Sequence, residues 1–381
     1  MSRLSEMIQE LCPDGVEYRK LEDVLKICNG SDYKKFGEGD IPVYGSGGIM
    51  TYIDTYVYDK PSVLIPRKGS LDNLYYVDVP FWTVDTIFYT KISEEVLPKY
   101  VFYYLQSQHL ERLNKAGGVP SLTQTILNKV LIPVPPLPIQ NEIVKLLDNF
   151  TELTAELTAE LLLRKKQYNF YRDSLLNFVR VDDTIVQTDR QTALRIGKIG
   201  RLKQSVAVEW RALVEITKSI SSGKNKSRTL YGEYPVYGST GIIGRCSESV
   251  YEEARILVAR VGMAAGFVQI VTGKYDVSDN TLIVDVMDEV DMKYIFYYLV
   301  HMNLNQLARG GGQPLITAGQ LKTIKIPIPP LEAQQKIVSI LDRFDALCND
   351  LTQGLPAEIA ARKKQYEYYR DKLLTFSRKA V

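Results

Sequence analysis

The sequence is poor in the residues that build most metal, redox and hydrolytic sites. Its 381 residues include two histidines and four cysteines, and the cysteines show neither a CxxC pair nor paired spacing. Disulfides and zinc sites depend on such spacing, so we expect reduced thiols, no metal and a cytoplasmic protein. Neither His109 nor His301 has a partner at metal-ligand spacing, which predicts structural or surface roles for both.

Long apolar runs and a strong net charge are also missing. No stretch of about 18 apolar residues occurs, which predicts no membrane-spanning helix. The opening residues, MSRLSE, lack the apolar core of a signal peptide. A net charge of +2 is weak evidence against nucleic-acid binding, because a footprint needs clustered basic residues rather than a high total. A hydrophobic content of 45% is that of an ordinary globular protein. The 381 residues are enough for two or three domains.

Catalytic and nucleotide-binding motifs are absent too. Gly223-Lys224 is followed by asparagine and lacks the earlier glycine of a phosphate-binding loop. No GxGxxG opens a helix after a strand, and nothing in the spacing indicates a Ser-His-Asp or Cys-His triad. The Asn-Pro-Pro-Tyr of amino-methylating DNA methyltransferases and the Glu-x-Lys of many nucleases do not occur at the expected places. The sequence therefore favours a binding protein without catalytic residues over an enzyme.

What the sequence does contain is a long internal repeat. Three motifs occur once in each half, at offsets of 193 to 198 residues: IPVPPL at 132–137 and IPIPPL at 326–331, PVYGS at 42–46 and 235–239, and RKKQY at 164–168 and 362–366. Such offsets are too long for solenoid repeats and indicate a duplicated domain with an appendage. Two similar domains on one chain predict pseudo-twofold symmetry and a two-sided partner.

Each half reads as a globular part followed by a long helix. Short strands separated by glycine-rich turns, with one helix near 98–115 and its counterpart near 294–299, predict a mixed α/β (α+β) domain with a β-rich core. After each Pro-Pro-Leu connector, apolar residues recur in steps of three and four, from Ile139 to Phe178 and from Ile337 to Phe376. These are heptad seams, which predict two long coiled-coil helices. In a parallel pair the polar linker would have to run back along the whole first helix, so we expect antiparallel helices that hold the two domains apart.

The predicted organisation has five segments. They are a first domain at 1–138, a central helix at 139–180, a linker at 181–207, a second domain at 208–332 and a C-terminal helix at 333–378. The first helix carries Thr-Ala-Glu-Leu twice, at 154–161. One tetrapeptide lengthens a helix by about 6 Å, a little under two base-pair steps. The second helix has four extra residues, and Gly354 and Pro356 are predicted to interrupt it.

Basic residues recur beside glycine loops at matching places in both halves. Lysine and arginine there suit phosphate contacts, and arginine suits bidentate reading of guanine, although solvated surface charge explains any single one. The candidate DNA-binding residues form three sets: Lys34 and Lys35 with Lys224, Lys226 and Arg228; Arg67 and Lys68 with Arg260; and Lys115 with Arg309. Other side chains near these loops differ, since Asp72, Asn73, Tyr75 and Tyr76 have no clear counterparts near 263–267.

These features together resemble one family, the specificity subunits of type I restriction–modification systems. The resemblance rests on the duplicated domain, the Ile-Pro-x-Pro-Pro-Leu before a glutamine-rich helix start (Gln140; Gln334 and Gln335), the RKKQY helix ends and the tetrapeptides. It implies two target-recognition domains that each read half of a bipartite, asymmetric DNA site. It also implies helices that set the spacer, two modification subunits and possibly two restriction subunits as partners. S-adenosylmethionine, ATP and Mg²⁺ are expected on those partners only, with no cofactor on this chain.

On this hypothesis the helix seams form the platform for the partners. The candidate partner-binding residues are Ile143, Phe150, Leu157, Tyr168, Tyr171, Ile337, Phe344, Leu351, Tyr366 and Tyr369. An alternative of another class is a scaffold that joins two protein partners through its coiled coil without touching DNA. A fused restriction–modification enzyme is disfavoured by the missing motifs.

Overall fold

The computed structural model describes residues 3–114, 120–178, 208–226, 229–310 and 313–379. The chain divides into two compact units. Unit 1 comprises residues 1–159 and 357–381, and unit 2 comprises residues 160–356. The five predicted segments remain a prediction, and the packing divides the chain differently, because each long helical segment is shared between the two units. No helix within the described residues is long and apolar enough to cross a membrane.

The elements of unit 1 are α1 (Arg3–Leu11), β1 (Tyr18–Lys20), α2 (Leu21–Val24), β2 (Leu25–Asn29), β3 (Ile41–Gly45), β4 (Gly48–Ile53), β5 (Ser62–Pro66), β6 (Tyr75–Val77), β7 (Trp82–Thr83), β8 (Ile87–Ile92), α3 (Pro98–Ser107), a 3-10 turn (Leu110–Leu113), α4 (Gln124–Asn128), β9 (Leu131–Pro133) and the first part of α5 (Leu137–Leu176).

The elements of unit 2 are β10 (Glu209–Ala212), a 3-10 turn (Leu213–Ile216), β11 (Thr217–Ser222), β12 (Tyr234–Gly238), β13 (Gly241–Cys246), β14 (Arg255–Ala259), β15 (Val268–Val271), β16 (Asp276–Val277), β17 (Thr281–Val286), α6 (Met292–His301), a 3-10 turn (Leu304–Leu307), α7 (Ala318–Lys322), β18 (Lys325–Ile328) and α8 (Leu331–Asn349). A last helix, α9 (Leu355–Leu373), begins in unit 2 and lies mainly in unit 1.

The two units share one sheet topology, which confirms the duplicated β-rich domain. In unit 1 the strand orders are β2-β8-β5-β6, β4-β3-β7 and β1-β9, and in unit 2 they are β11-β17-β14-β15, β13-β12-β16 and β10-β18. The hairpins β3–β4 and β12–β13 even shift register at the same place, at Val43/Tyr44 and Val236/Tyr237. Register shifts bend a strand and re-aim its end, so both hairpin turns are oriented by the same device.

Each domain is fastened to its long helix by a buried glutamine at the helix start. Gln140 accepts a hydrogen bond from the Leu97 amide at 2.8 Å and donates to the carbonyls of Glu95 and Pro135. Gln334 repeats this in unit 2, accepting from the Asp291 amide at 2.9 Å and donating to the Pro329 carbonyl at 2.7 Å. Backbone amides of the first helical turn bind the second proline carbonyl of each connector, and the glutamine side chain binds the first. The prolines and the glutamine therefore act together.

The heptad seams pack helix against helix within each unit, as the periodicity predicts. In unit 1, Phe150 of α5 stacks on Tyr369 of α9 with ring centroids 5.5 Å apart. In unit 2, Tyr171 of α5 stacks on Phe344 of α8 at 5.1 Å. Burial raises the pKa of Tyr168, one turn earlier on α5, to about 12, and Asp345 and Cys348 of α8 contribute to that rise. The later residue of α5 thus meets the earlier residue of α8, so these two helices run antiparallel within unit 2.

The predicted interruption of the second helix is confirmed. α8 ends at Asn349 and α9 begins at Leu355. The Asp350 carboxylate accepts hydrogen bonds from the amides of Thr352 and Gln353, at 2.7 and 3.2 Å. At Gly354 an added Cβ would lie 2.6 Å from the Ala346 carbonyl oxygen, too close for any side chain. Pro356 then falls in the first turn of α9, where its missing N–H has no consequence.

The prediction that the seam residues contact partner subunits is wrong for the two that are buried, and it stays a prediction for the others. Ile143 is 0% exposed and Ile337 is 6% exposed in the cores of their own units. Phe150, Tyr168, Tyr171, Phe344, Tyr366 and Tyr369 pack in contacts within their own unit. Leu157 is half-buried. Two of the ten are exposed: Tyr369 is 37% exposed, and Leu351 is 80% exposed in the turn between α8 and α9. The periodicity locates the seam correctly, but the chain satisfies that seam itself.

Candidate nucleic-acid interface

In each unit one short loop lies at the meeting point of several others. In unit 1 it is residues 83–86, between β7 and β8, and in unit 2 it is residues 277–280, between β16 and β17. We refer to these as the central loops. They occupy equivalent positions 194 residues apart, and each has an exposed aspartate at its tip, Asp85 or Asp279.

The central loop of unit 1 holds the first two predicted basic sets in place. The Ser31 amide donates to the Thr83 carbonyl at 2.8 Å, which anchors the loop that carries Lys34 and Lys35. Gly30 is required there, because an added Cβ would lie 2.1 Å from a backbone oxygen of the central loop. The Arg67 amide donates to the Thr86 carbonyl at 2.8 Å. The sets with Lys34 and with Arg67 therefore lie on either side of one turn.

The central loop of unit 2 repeats this arrangement. The Asn225 amide donates to the Val277 carbonyl at 3.0 Å, and the Arg260 amide donates to the Asn280 carbonyl at 2.9 Å. Asn225 lies between Lys224 and Lys226, both of which are exposed. The two predicted sets are thus brought together in unit 2 by the same backbone contacts as in unit 1.

The third predicted set joins the same cluster in unit 2. Arg309 pairs with Leu315 through two backbone hydrogen bonds, of 3.1 and 2.9 Å. Leu315 also forms a β-bridge with Val261, next to Arg260. In unit 1 the corresponding bridge joins Lys68 and Ser121. Lys115 and Arg228 lie outside the described residues.

The hairpin turns complete each cluster. In unit 1 the Ser46 amide donates to the Thr86 hydroxyl at 3.3 Å, and the Ser46 carbonyl accepts from the Tyr75 hydroxyl at 3.3 Å. In unit 2 the Ser239 hydroxyl donates to the Asn280 carbonyl at 2.6 Å. The serines of the repeated PVYGS motif therefore fasten the hairpin to the central loop, a role that the sequence analysis did not assign.

Arg67 and Arg260 are less free than the other described residues of the three basic sets. The Arg67 guanidinium lies over the Phe88 ring at 5.7 Å. The Arg260 guanidinium donates to the Asp279 carbonyl at 3.3 Å and to the Ser222 hydroxyl at 3.4 Å. Both side chains are half-buried, whereas Lys34, Lys35, Lys68, Lys224, Lys226 and Arg309 are exposed. Arg260 thus supports the loop, and the exposed side chains offer the mobile positive charge.

Several buried polar atoms at these loops lack a hydrogen-bond partner among the described residues. They are Thr83 Oγ1, Asn225 Oδ1, Arg260 Nε, Ser278 Oγ and Thr281 Oγ1. Buried polar groups are normally hydrogen-bonded, so these unpaired atoms distinguish the loop clusters. Sequence patterns do not reveal this feature, because it depends on which loops meet. The recurrence of Asp85 and Asp279 at a fixed offset was a signal that the sequence analysis missed.

Comparison with known proteins agrees with this geometry. A family profile described as "Type I restriction modification DNA specificity domain" matches residues 13–164 and again residues 208–361. The chain belongs to this family. It is a type I specificity subunit with two target-recognition domains, one in each unit, and the prediction of a non-catalytic DNA-recognition subunit is confirmed.

Individual relatives span nearly the whole specificity subunit. A putative specificity subunit of Haemophilus influenzae, S.HindORF215P, is 30% identical over 95% of this chain and 96% of its own length. The specificity subunit of the Escherichia coli type I enzyme EcoprrI is 30% identical over 93% of each chain. That of EcoR124I/EcoR124II, also from E. coli, is 34% identical over 74% of this chain and 72% of its own.

Solved structures confirm the fold of the specificity subunit. The crystal structure of a type I S subunit from M. genitalium aligns with a TM-score of 0.63, at 18% identity, over 94% of this chain and 96% of that one. A chain from a study of complex assembly and conformational transition of the type I restriction–modification system aligns with a TM-score of 0.57, at 16% identity, over 94% and 97%.

Proposed function

We propose that each target-recognition domain reads one half of a bipartite, asymmetric DNA site through the loop cluster around its central loop. The observation that carries this proposal is that the predicted basic loops meet at one turn in both units, through matching backbone hydrogen bonds. A repeated backbone frame with different side chains suits two readers of different sequences. Exposed lysines would contact phosphates, and the remaining loop side chains would contact base edges.

The long helices would set the spacer between the half-sites. α5 is one unbroken helix of 40 residues, and its first part packs in unit 1 while its last part packs in unit 2. A helix without an internal break transmits its length to whatever its ends hold, at about 1.5 Å per residue. The tetrapeptides at 154–161 lie in that helix and would be the adjustable part of the spacer.

Two modification subunits would bind the outer faces of the long helices, rather than the seam. Phe170 on α5 and Tyr368 on α9 occupy equivalent positions and are 59% and 61% exposed. Matching exposed lysine pairs precede them, Lys165 and Lys166 on α5 and Lys363 and Lys364 on α9. Equal surfaces suit two copies of the same partner, whereas unequal loops suit two different half-sites. Exposed aromatic side chains are typical anchors of protein interfaces.

The catalytic steps would take place on the modification and restriction subunits. S-adenosylmethionine would be bound by the modification subunits, and ATP and Mg²⁺ by two restriction subunits where these join. Because the substrate is the cell's own DNA and DNA that enters the cell, the place of action would be the cytoplasm.

Methylome sequencing of a host that expresses this chain with its modification subunit tests the proposal. The expected result is one adenine-methylated motif made of two unlike half-sites with a fixed, unspecified gap. Replacing residues 208–332 with the corresponding domain of a relative should change one half-site and leave the other. Methylation of a single uninterrupted motif, or a swap that alters both half-sites, would contradict separate readers.

The exposed lysines of unit 2 provide a second test. Lys224→Ala combined with Lys226→Ala should weaken binding to all sequences alike and lower the slope of log K against log salt by about 0.9 per lost phosphate contact. Binding is measured on the chain assembled with its modification subunits, across a salt series. The charge-retaining pair Lys224→Arg and Lys226→Arg should keep the original slope. An unchanged slope in the alanine pair would remove these lysines from the footprint.

A further inference from the structure

Two equivalent loops in the target-recognition domains carry opposite chemistry. The loop after β5, residues 67–74, exposes the polar side chains Lys68, Ser70 and Asp72. The loop after β14, residues 260–267, exposes Met263 and Phe267 instead. Both loops begin with an arginine whose amide binds the central loop, so they start from the same place in the fold. The difference therefore lies in what each loop presents, not in where it sits.

Met263 has no structural reason to be apolar. It is 93% exposed, the highest value among the large apolar side chains of the described residues. An apolar side chain in water contributes nothing to folding, because stabilisation comes from removing apolar surface from water. Single exposed apolar residues are common. This one, however, stands at the tip of a loop in the candidate interface, with Phe267, 55% exposed, at the end of the same loop.

The loop that carries Met263 is held at both ends. The Gly262 amide donates to the Pro314 carbonyl at 3.0 Å, and the Gly266 amide donates to the Ala259 carbonyl at 2.9 Å. The Asn305 side chain donates to the Ala265 carbonyl at 3.1 Å. Gly262 and Gly266 both have positive φ, at 78° and 93°, and a Cβ on Gly266 would lie 2.3 Å from the Asn305 amide nitrogen. A fixed frame keeps the ordering entropy of binding low.

The surface around Met263 suits a negatively charged polymer that also presents an apolar group. A concave surface of about 550 Å³ includes Met263; its polar lining is Ser239, Thr240, Asn303 and Asn305, and its apolar lining is Ala264, Ala265, Phe267, Val268 and Val300. No carboxylate lines this surface. The exposed Arg309 lies in the strand pair next to the loop. A protein partner would need a wider apolar area. The exposed Lys224, Lys226 and Arg309 of the same loop cluster outnumber its exposed carboxylate, Asp279, and this excess of positive charge complements DNA.

We propose that Met263, supported by Phe267, contacts the C5 methyl group of a thymine in the major groove of the half-site read by unit 2. The methyl group is the apolar feature that a base pair presents in that groove, and it distinguishes thymine from cytosine. This inference rests on the proposed function and adds the chemical means by which one base is selected. It makes Met263 a specificity-determining residue for the half-site read by unit 2, whereas unit 1 would read the other half-site with hydrogen bonds from its polar loop.

Replacing thymine with uracil tests the contact, because this change removes the methyl group alone. Each thymine of the motif found by methylome sequencing is replaced in turn, and binding is measured with the chain assembled with its modification subunits. One replacement should weaken binding by about fourfold, the factor expected for one buried methyl group. In Met263→Ala that thymine should be bound no better than uracil, while Met263→Leu should retain most of the preference.

Control measurements separate this inference from the proposed function. Val214→Ala, which removes an exposed apolar side chain from the 3-10 turn before β11, should leave every thymine preference unchanged. Specific binding in which Met263→Ala keeps the full preference at every thymine would overturn the inference alone. The inference would also be overturned if replacing thymine with uracil weakened binding at no position of the half-sites. Failure of the assembled complex to bind any sequence specifically would instead overturn the proposed function.

Discussion

Deleting one Thr-Ala-Glu-Leu, residues 154–157, is expected to shorten the preferred DNA spacer by one or two base pairs. Four residues take about 6 Å from a helix, against about 3.4 Å per base pair. α5 contains no break between Leu137 and Leu176 that could absorb the change. With the original spacer, only one half-site would then be in register. Specific binding exceeds non-specific binding by about 10³- to 10⁷-fold, so losing one reader should weaken binding by roughly 100-fold.

Competition between duplexes that differ only in spacer length measures this effect. Restored affinity on the shortened spacer would show that both readers remain intact. A shift in the half-site sequences, or the same spacer preference as before, would contradict the role of α5 as the spacing element. Substituting alanine for Thr154 and Thr158 without deletion is the matched control. Both hydroxyls donate to carbonyls of α5 itself, Thr154 to Phe150 at 2.8 Å and Thr158 to Thr154 at 2.7 Å. The length of α5 is therefore unchanged in the control.

The second large effect is expected from Gln334→Ala. Gln334 is 1% exposed, and its side chain satisfies the Asp291 amide and the Pro329 carbonyl. Truncation leaves the buried Pro329 carbonyl and the partly buried Asp291 amide unpaired. A buried unsatisfied group costs about 1–3 kcal/mol, and the amide costs less because water can reach it. We therefore expect the free energy of unfolding of unit 2 to fall by about 2–4 kcal/mol. Faster hydrogen exchange at the Asp291 amide would locate the loss.

Gln335→Ala provides the control for that measurement, because the neighbouring glutamine is exposed. Its effect should stay within about 0.5 kcal/mol, as for most surface substitutions. Urea unfolding followed by hydrogen exchange compares the two variants on the same chain. Equal stabilities for Gln334→Ala and the unaltered chain would show that water replaces the glutamine, and that the prolines alone hold the connector. A parallel loss in unit 1 is expected from Gln140→Ala.

The sequence was a good guide wherever a pattern is local. The steps of three and four residues located both helix seams, and the glycine and proline at 354 and 356 located the break between α8 and α9. Steric limits on φ act within a few residues, so they are visible in the sequence. The recurrence of whole motifs established the duplication, which the matching sheet orders confirm.

The sequence was a poor guide to what each pattern faces. The seam residues Ile143 and Ile337 were expected to meet other subunits, yet they are buried in their own units. Periodicity shows that a stripe is apolar and leaves open what covers it. Arg260 was chosen for its charge, but its half-buried guanidinium donates to Asp279 and Ser222. Burial of a loop arginine depends on strands paired far along the chain.

By itself the sequence determined the doubling of the domain, the long helices with their interruption, and the class of protein to which the chain belongs. Only the tertiary structure decided that the separate basic loops meet at residues 83–86 and 277–280, and that Met263 points into water while equivalent residues in unit 1 are polar. The physical reason is the distance along the chain over which each effect acts. Helix periodicity and proline geometry act between near neighbours, whereas these meetings depend on β-strand pairs such as β12 with β16, whose residues are about 40 positions apart.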